Sequence, residues 1–150
     1  MSRFWVVAIV LMAVASPARA ASYYVGTLGN DSAAGTSRVA PWKTIQHAAN
    51  TMVPGDVAVV LGGKYPERVY VSKSGTAAKP IAFEADLNSI VQMQGFEIRK
   101  GANYIQVVGF EITNTSHVAG DIEHAFGILW QGSSASSRTT TFMISAAKES

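Results

Sequence analysis

The sequence predicts an all-β protein folded as a parallel β-helix, and three observations support this prediction. After Asp56, short apolar runs follow one another, and polar or glycine-containing turns separate most of them. Four of these runs open at separations of 24, 24 and 23 residues, and a repeat of this length is typical of stacked structural units. No helical pattern interrupts the repeat. A β-sandwich would also give many short strands, but without a constant repeat.

The first twenty residues have the layout of a secretory signal peptide, which predicts a secreted protein, either extracellular or periplasmic. Arg3 supplies the positive charge, an apolar stretch runs from Phe4 to about Val14, and Ala18-Arg19-Ala20 matches the small-x-small cleavage rule. The apolar stretch is too short for a transmembrane anchor, which takes about 20 residues. We therefore expect a mature chain that begins at Ala21 and has no membrane partner.

Charge and cysteine content exclude several classes of protein. The 150 residues suit one domain, with 12 Lys and Arg against 10 Asp and Glu. Cleavage would remove two arginines, so the mature chain would carry no net charge, and its basic residues are scattered singly. Nucleic acid is therefore not an expected partner. The absence of cysteine excludes a disulfide framework and a thiolate zinc site.

An amphipathic helix is predicted from Pro41 to Val53, after an opening strand at 22–25. Its apolar positions recur at three- and four-residue steps, at Trp42, Ile45, Ala49, Met52 and Val53. Pro41 suits the first helical position, and Pro54-Gly55 ends the pattern. We expect residues 21–55 to form an N-terminal unit whose helix closes the end of the β-helix. His47 lies off the apolar stripe and is expected to be exposed to solvent.

Residues 56–132 are predicted to form about three to four coils. The predicted strands are Val57–Leu61, Arg68–Val71, Ile81–Ala85, Ile90–Met93, Phe96–Ile98, Tyr104–Ile112 and Phe126–Gln131. The repeat predicts one inward ladder that stacks the openings of four strands, at Val57, Ile81, Ile105 and Ile128. Two residues later, the same face would carry Val59, Phe83, Val107 and Trp130.

The sequence also resembles a known group of secreted right-handed parallel β-helix proteins, the pectate-lyase-like proteins, from about residue 22 to residue 131. The resemblance is to polysaccharide lyase family 9 and, more distantly, to the chondroitinase B and alginate lyase group. The matching segments are Tyr23-Tyr24-Val25, Gly29-Asn30-Asp31-Ser32, Gly35-Thr36, Pro41-Trp42-Lys43-Thr44-Ile45-Gln46, Pro54-Gly55-Asp56, Gly63-Lys64-Tyr65, Glu67-Arg68-Val69, Ser74-Gly75-Thr76, Lys79-Pro80-Ile81 and Gly109-Phe110-Glu111-Ile112.

This resemblance implies an exported protein that acts on a uronic-acid-containing polysaccharide by β-elimination. In such lyases, calcium neutralises the substrate carboxylate and a Lys or Arg removes the adjacent proton. No residue here matches a catalytic motif of the family, so the catalytic and metal-binding residues stay unassigned. The chain is expected to be an N-terminal part, inactive by itself, with calcium bound only in a longer protein. The alternatives are a non-catalytic surface or glycan-binding β-helix, and a glycoside hydrolase or epimerase of the same fold.

Two sets of mostly acidic residues are local candidates for binding. Asp121, Glu123 and His124 occupy one turn, where paired carboxylates could hold calcium, although a solvated loop is the commoner outcome for such a turn. Glu84 and Glu111 are predicted to face outward from strands and could line a sugar-binding groove.

Basic and aromatic residues give further candidates. Lys100, after Arg99, is predicted to be a turn residue without a nearby acidic partner. Tyr70, Tyr104 and Trp130 could stack on sugars, but packing between strands is the commoner role of aromatic residues at such positions.

Residues 133–150 are predicted to form an aberrant or disordered tail. After Ser137 the sequence has no turn former and no capping helix, which favours a frameshift in the gene over an ordinary frayed terminus.

Overall fold

The computed structural model describes residues 20–99, 101–113, 128–130 and 141–145, with side chains in the first two ranges. In chain order the elements are β1 (Ser22–Val25), α1 (Ile45–Thr51), β2 (Val57–Val60), β3 (Gly63–Val71), β4 (Ile81–Ala85), β5 (Val91–Ile98), β6 (Ile105–Ile112), β7 (Ile128–Trp130) and β8 (Thr141–Ser145). Strands therefore dominate the described part of the chain, as the sequence predicts.

All the paired strands are parallel, and together they form one curled sheet. The strand order is β1-β2-β4-β6-β5-β3, with β7 paired to β5 and β8 paired to β6. Parallel neighbours are reached by crossing over from one side of the curl to the other, as in successive turns of a coil. The architecture confirms the all-β class and is consistent with part of a parallel β-helix, whose right-handed sense stays a prediction.

The pairings run along three faces of the curl. The first face stacks β1, β2, β4, the first half of β6, and β8. The second face stacks the first residues of β3 and β5 on the last residues of β6, and the third stacks the last residues of β3 and β5 on β7. β5 and β6 each bend from one face to the next near Gly95 and Gly109, whose φ angles are 132° and 82°. Glycine adopts such positive φ angles without the steric cost of a Cβ atom.

The predicted inward ladder is correct in its middle and wrong at both ends. Ile81 pairs with Ile105, as predicted, and both side chains are buried. On β2, however, Val57 pairs with Ala82, so the register is displaced by one residue. At the other end, Ile128 lies on the third face, opposite Phe96, and β8 continues the first face instead.

The next row of the predicted ladder changes in the same way. Phe83 pairs with Val107 as predicted, but it is Ala58 that lies opposite Phe83 on β2, where Val59 was expected. Ala58 is buried, whereas Val59 is half-buried. β2 consists of valine and alanine alone, so no alternation of polar and apolar residues fixes its register in the sequence.

The core lies inside the curl and is built around three phenylalanines. Phe83 of β4, Phe96 of β5 and Phe110 of β6 are fully buried. The ring centroids of Phe83 and Phe96 are 5.2 Å apart, and those of Phe96 and Phe110 are 5.3 Å apart. These are favourable distances for tilted and edge-to-face aromatic pairs. Phe96 therefore joins strands from different faces through one continuous aromatic contact.

The helix is shorter than predicted, because the chain before Thr44 continues the first face. The backbone NH of Trp42 donates to Tyr24 O at 2.8 Å, and Trp42 O accepts from Gly26 N at 2.8 Å. Thr44 is the N-cap, and its hydroxyl oxygen accepts from the backbone NH of His47 at 3.1 Å. The predicted apolar stripe is otherwise buried, except for Val53, which is 46% exposed. The role of the helix as an end cap stays a prediction.

Part of the predicted tail is ordered into a strand. Thr141–Ser145 pairs in parallel with β6, with Phe142 opposite Val107 and Ser145 opposite Glu111. The rest of the predicted tail and residues 1–19 of the predicted signal peptide lie outside the described residues.

Over the described residues, no helix has both the length and the apolar character needed to cross a membrane.

Candidate functional site

An open groove on the third face, here called the Tyr70 groove, is the first candidate binding site, and it is larger than a second cleft on the second face. Its volume is about 570 Å³, and its lining combines helix and strand residues with polar or charged side chains: Gln46, Asn50, Glu67, Arg68, Tyr70, Ser72 and Arg99. The groove thus lies where α1 meets the last residues of β3. Its lining is rich in groups that can hydrogen-bond to a polar ligand.

Tyr70 and Arg99 form the outer wall of this groove. Tyr70 is 40% exposed, so its ring faces outward rather than packing in the core. The guanidinium carbon of Arg99 lies 4.6 Å from the centre of the Tyr70 ring, a cation–π contact. Arg99 Nε is also 3.7 Å from Glu97 Oε1. These contacts hold the Arg99 guanidinium at the groove while its side chain stays half-exposed.

Gln46 fixes the helix against the edge of β3. Its Oε1 accepts from Tyr70 N at 2.7 Å, and its Nε2 donates to Tyr70 O at 3.0 Å. The same Nε2 lies 3.0 Å from Asn50 Oδ1. A single side-chain amide therefore pairs with both backbone groups of Tyr70, as a neighbouring strand would.

Glu67 connects the other end of the groove to the start of α1. Its Oε1 accepts from Ile45 N at 2.9 Å, and its Oε2 accepts from Gln46 N at 3.2 Å. Backbone NH groups at a helix N-terminus have no partners within the helix, and they stabilise a carboxylate. Glu67 is therefore engaged by the helix, and within residues 20–99 and 101–113 Arg68 forms no ion pair. Arg68 and Arg99 are the two cationic side chains in the lining of the groove, and Glu67 is its carboxylate.

The second cleft, of about 390 Å³, lies on the second face beside the bulge in β3. Lys64, Gln92 and Glu111 form an outward row there, at paired positions of β3, β5 and β6. Gln92 Nε2 donates to Glu111 Oε1 at 2.9 Å. Glu111 faces outward as predicted, but its carboxylate already has a partner within the row.

Tyr65, which also lines the second cleft, is not available for proton transfer near neutral pH. Its hydroxyl donates to Leu61 O at 2.8 Å, and the residue is buried. Burial and the nearby Glu67 carboxylate raise the pKa of Tyr65 to about 12. This hydroxyl therefore has a structural role.

Asp31 and Asp86 are also engaged in structural contacts, away from both clefts. Partial burial opposes ionisation of Asp31, but hydrogen bonds from Thr44 and Lys43 outweigh it and hold the pKa of Asp31 below its ordinary value. Arg38 forms two hydrogen bonds to Asp86 and lowers the pKa of Asp86. Both carboxylates connect separate loop segments, and neither lines the Tyr70 groove or the second cleft.

The other residues predicted from sequence lie apart from the Tyr70 groove. Glu84 is exposed on the first face, and Tyr104 is half-buried. His47 is half-buried rather than exposed, because its ring packs edge-on against Trp42 with centroids 4.8 Å apart. Four candidates, Lys100, Asp121, Glu123 and His124, lie outside the described residues, as does the side chain of Trp130.

Calcium does not fit the described part of the chain. Within it, no group of three or more His, Cys, Asp or Glu side chains converges as a metal site would require. The acidic residues at the clefts are engaged singly, Glu67 by the helix and Glu111 by Gln92. No catalytic step through a metal follows from these residues.

Gln46, Asn50 and Arg68 line the groove but were not predicted from the sequence as site residues. Arg68 stands two positions before Tyr70, and residues at this spacing share one face of a strand. That spacing could have predicted an outward Arg and Tyr pair. The contribution of the helix residues could not have been predicted, because it depends on how α1 packs against β3.

The fold and the grooves define a class of protein, an all-β protein with one curled parallel sheet and polar clefts on its outer faces, consistent with part of a parallel β-helix. No protein-family profile matches the sequence. The uncharacterized protein YwoF from Bacillus subtilis (strain 168) is 31% identical over 123 residues, which cover 74% of this chain and 26% of that protein.

Similar solved structures are carbohydrate-active enzymes. A rhamnogalacturonan lyase superposes with a TM-score of 0.51 and 23% identity, over 61% of this chain and 28% of its own. The GH136 lacto-N-biosidase from Eubacterium ramulus, as the native protein, gives a TM-score of 0.59 and 17% identity, over 82% of this chain and 26% of its own. Its selenomethionine form superposes with a TM-score of 0.58 and 19% identity, over 75% of this chain and 24% of its own. The chain thus spans about a quarter of each of these proteins, and the similarity is one of fold.

Proposed function

We propose that the chain is the N-terminal part of an exported, carbohydrate-active β-helix protein and that the Tyr70 groove binds an acidic polysaccharide. The observation that carries this proposal is the placement of Arg68 and of Arg99, stacked on an exposed Tyr70, in one open groove. The similarity in fold to a lyase and a glycosidase supports a glycan ligand. The proposed localisation outside the cytoplasm rests on the signal peptide predicted at residues 1–20.

Uronic acids suit this groove because each carries a carboxylate on an otherwise polar ring. A guanidinium matches a carboxylate with two parallel N–H···O bonds, which are stronger than hydrogen bonds between neutral groups. Arg99 is held over Tyr70, so little side-chain freedom is lost when it binds. Asn50 on the opposite wall would meet the sugar hydroxyl groups, while the Gln46 amide stays bound to Tyr70.

For the complete protein we propose β-elimination on this polysaccharide, as the resemblance to the lyases implies. The groove residues would bind and orient the chain of sugars, while the base and any calcium ligands would lie outside the described residues. A glycan-binding β-helix without catalysis is the alternative, since the described groups are sufficient for binding alone.

The groove is tested by measuring how the mature chain binds uronic-acid polymers, such as polygalacturonate or alginate, and a neutral polysaccharide. We expect preferential binding to the acidic polymers. Arg99→Gln and Arg68→Gln should each weaken it about tenfold, because each removes a charge-assisted hydrogen bond. Affinity electrophoresis or calorimetry at fixed salt would measure the change.

Arg38→Gln is the matched control for these variants. Arg38 lies outside the groove, where it pairs with Asp86, and its exposed ion pair contributes little to stability. The substitution removes the same charge but should leave binding unchanged. Equal weakening by all three variants would mean that net charge, and not the groove, attracts the polymer.

A further inference from the structure

Among the described residues, Asp56 is the charged residue that is buried. It is 2% exposed and lies just before β2. Its Oδ1 accepts from the backbone N of Ala21 at 2.9 Å, and its Oδ2 accepts from the backbone N of Val53 at 2.9 Å. The carboxylate therefore joins the first residue before β1 to the end of the helical segment.

Burying a carboxylate is costly, and the cost is lower when a cation lies beside it than when neutral amides alone do. In the uncleaved chain, Ala21 N is a neutral amide. It is also the atom that would become the N-terminus if the chain were cut after Ala20, as the signal peptide predicts. In that reaction a signal peptidase adds water across the Ala20–Ala21 peptide bond, which leaves a carboxylate on Ala20 and an amine on Ala21.

We propose that Asp56 is the binding site for the α-ammonium group of the mature N-terminus. Near neutral pH a free α-amine takes up a proton, because its ordinary pKa is about 7.7 to 8.0. The new ammonium has three N–H donors where the amide had one, and it forms a charge-assisted hydrogen bond with Asp56 Oδ1. Leader cleavage thus converts a hydrogen bond from a neutral amide into a part-buried ion pair.

The neighbouring backbone keeps Ala21 in place for this pairing. Ala21 O accepts from Val57 N at 2.9 Å, and the β1–β2 pairing follows directly, with Ser22 opposite Val57. The pairing of β1 with β2 therefore holds the Ala21 nitrogen beside Asp56. In a chain that starts one residue earlier, the ammonium would lie about 3.5 Å from the position of Ala21 N, and the hydrogen bond to Asp56 Oδ1 would come from a neutral amide.

This inference is independent of glycan binding and rests on the predicted leader cleavage. The leader is tested first: the full 150-residue chain is expressed in an exporting bacterial host and the N-terminus of the exported protein is sequenced. We expect Ala21 as the first residue. Any other first residue would overturn the proposal, whatever the Tyr70 groove binds.

The ion pair is tested by a thermal-unfolding cycle on four chains. The first begins at Ala21, the second carries one extra glycine before Ala21, and the third and fourth are the same chains with Asp56→Asn. We expect the extra glycine to lower the Tm by several degrees when Asp56 is present and to have little effect with asparagine. An equal effect of the glycine in both backgrounds would overturn the proposal.

A labelling measurement covers the case in which Asp56→Asn does not fold. The folded chain is treated with an amine-acylating reagent, and modification of the N-terminus is followed by peptide mass spectrometry with the lysines as internal reference. The α-amine of Ala21 should react at least about tenfold more slowly than that of the glycine-extended chain, because a paired ammonium is a poor nucleophile. Similar rates in the two chains would overturn the proposal.

Discussion

Gly109 is the residue at which β6 turns from the first face to the second. Its φ of 82° lies in the left-handed region, which side chains other than glycine rarely adopt. A Cβ atom at this position would also lie 3.2 Å from the Cβ of Ala85 on the neighbouring strand. The backbone conformation at this corner therefore requires glycine, and β6 and β4 approach each other closely there.

We predict that Gly109→Ala lowers the free energy of unfolding by about 1 to 2 kcal/mol, the cost of a left-handed conformation for an L-residue. Urea denaturation of the mature chain would measure the change. Gly62→Ala is the matched control, because its Cβ would also lie 3.2 Å from another Cβ, that of Ser89, with no positive φ. Equal losses for both variants would assign the cost to crowding instead.

Single residues also show what the sequence could predict about the candidate site. The outward orientation of Glu111 and Glu84 follows from strand periodicity, and the structure has both facing outward. For Tyr70 the same periodicity favoured packing between strands, but the structure leaves the side chain exposed. The groove around Tyr70 could not be predicted, since Gln46 and Arg99 reach it from distant parts of the sequence.

At the scale of elements, β3 and β5 are longer than the sequence predicts because each passes through a residue that usually interrupts a strand. Pro66 lies in β3 at a bulge between Tyr65 and Arg68, a position where proline's missing NH is tolerated. Gly95 lies within β5, which the sequence divides into two strands. In both cases the interruption marks a corner of the coil, and the chain continues as a strand on the next face.

β5 is the strand whose stability should depend most on packing, because it carries the fully buried Phe96. Phe96→Ala should lower the free energy of unfolding by about 3 to 5 kcal/mol, because the ring is fully buried between Phe83 and Phe110 and its removal leaves a cavity. The denaturant midpoint measures this loss. Leu87→Ala, at a side chain that is 87% exposed, should change stability by no more than about 0.5 kcal/mol. A small effect at Phe96 would contradict the central position of the aromatic contact.

At the scale of the whole molecule, the fold class could be predicted because β2, β4 and β6 repeat their apolar strands at similar spacings, 25 residues between Val57 and Ala82 and 24 between Ile81 and Ile105. The exact spacing along the rest of the chain could not be predicted, because the number of residues between paired strands varies. Paired residues of β4 and β6 lie 24 positions apart, as between Ile81 and Ile105, whereas β6 and β8 lie 35 apart, as between Gln106 and Thr141. Turn residues contribute little to the core, so their number can vary without a signal in the apolar pattern.

We predict that the mature chain binds acidic polysaccharide without cleaving it. The described groups supply cations and hydrogen-bond donors but no converging set of carboxylates for calcium. The assay is ultraviolet absorbance of the unsaturated uronate formed by β-elimination, with and without added calcium, on the polymers used for binding. We expect no increase above a blank. A calcium-dependent increase would place the catalytic groups in this chain, outside its described residues.

The amide of Gln46 has a consequence for how the molecule behaves at high concentration. β3 ends the strand order, and an outermost strand offers its backbone NH and C=O groups to strands of other molecules, as in fibril growth. At Tyr70 both groups are already bound by one carboxamide, which imitates the peptide unit of a missing neighbour. A strand of another molecule would have to displace Gln46 before it could pair with β3 at this position. A single helix side chain therefore opposes the edge-to-edge association of molecules through β3.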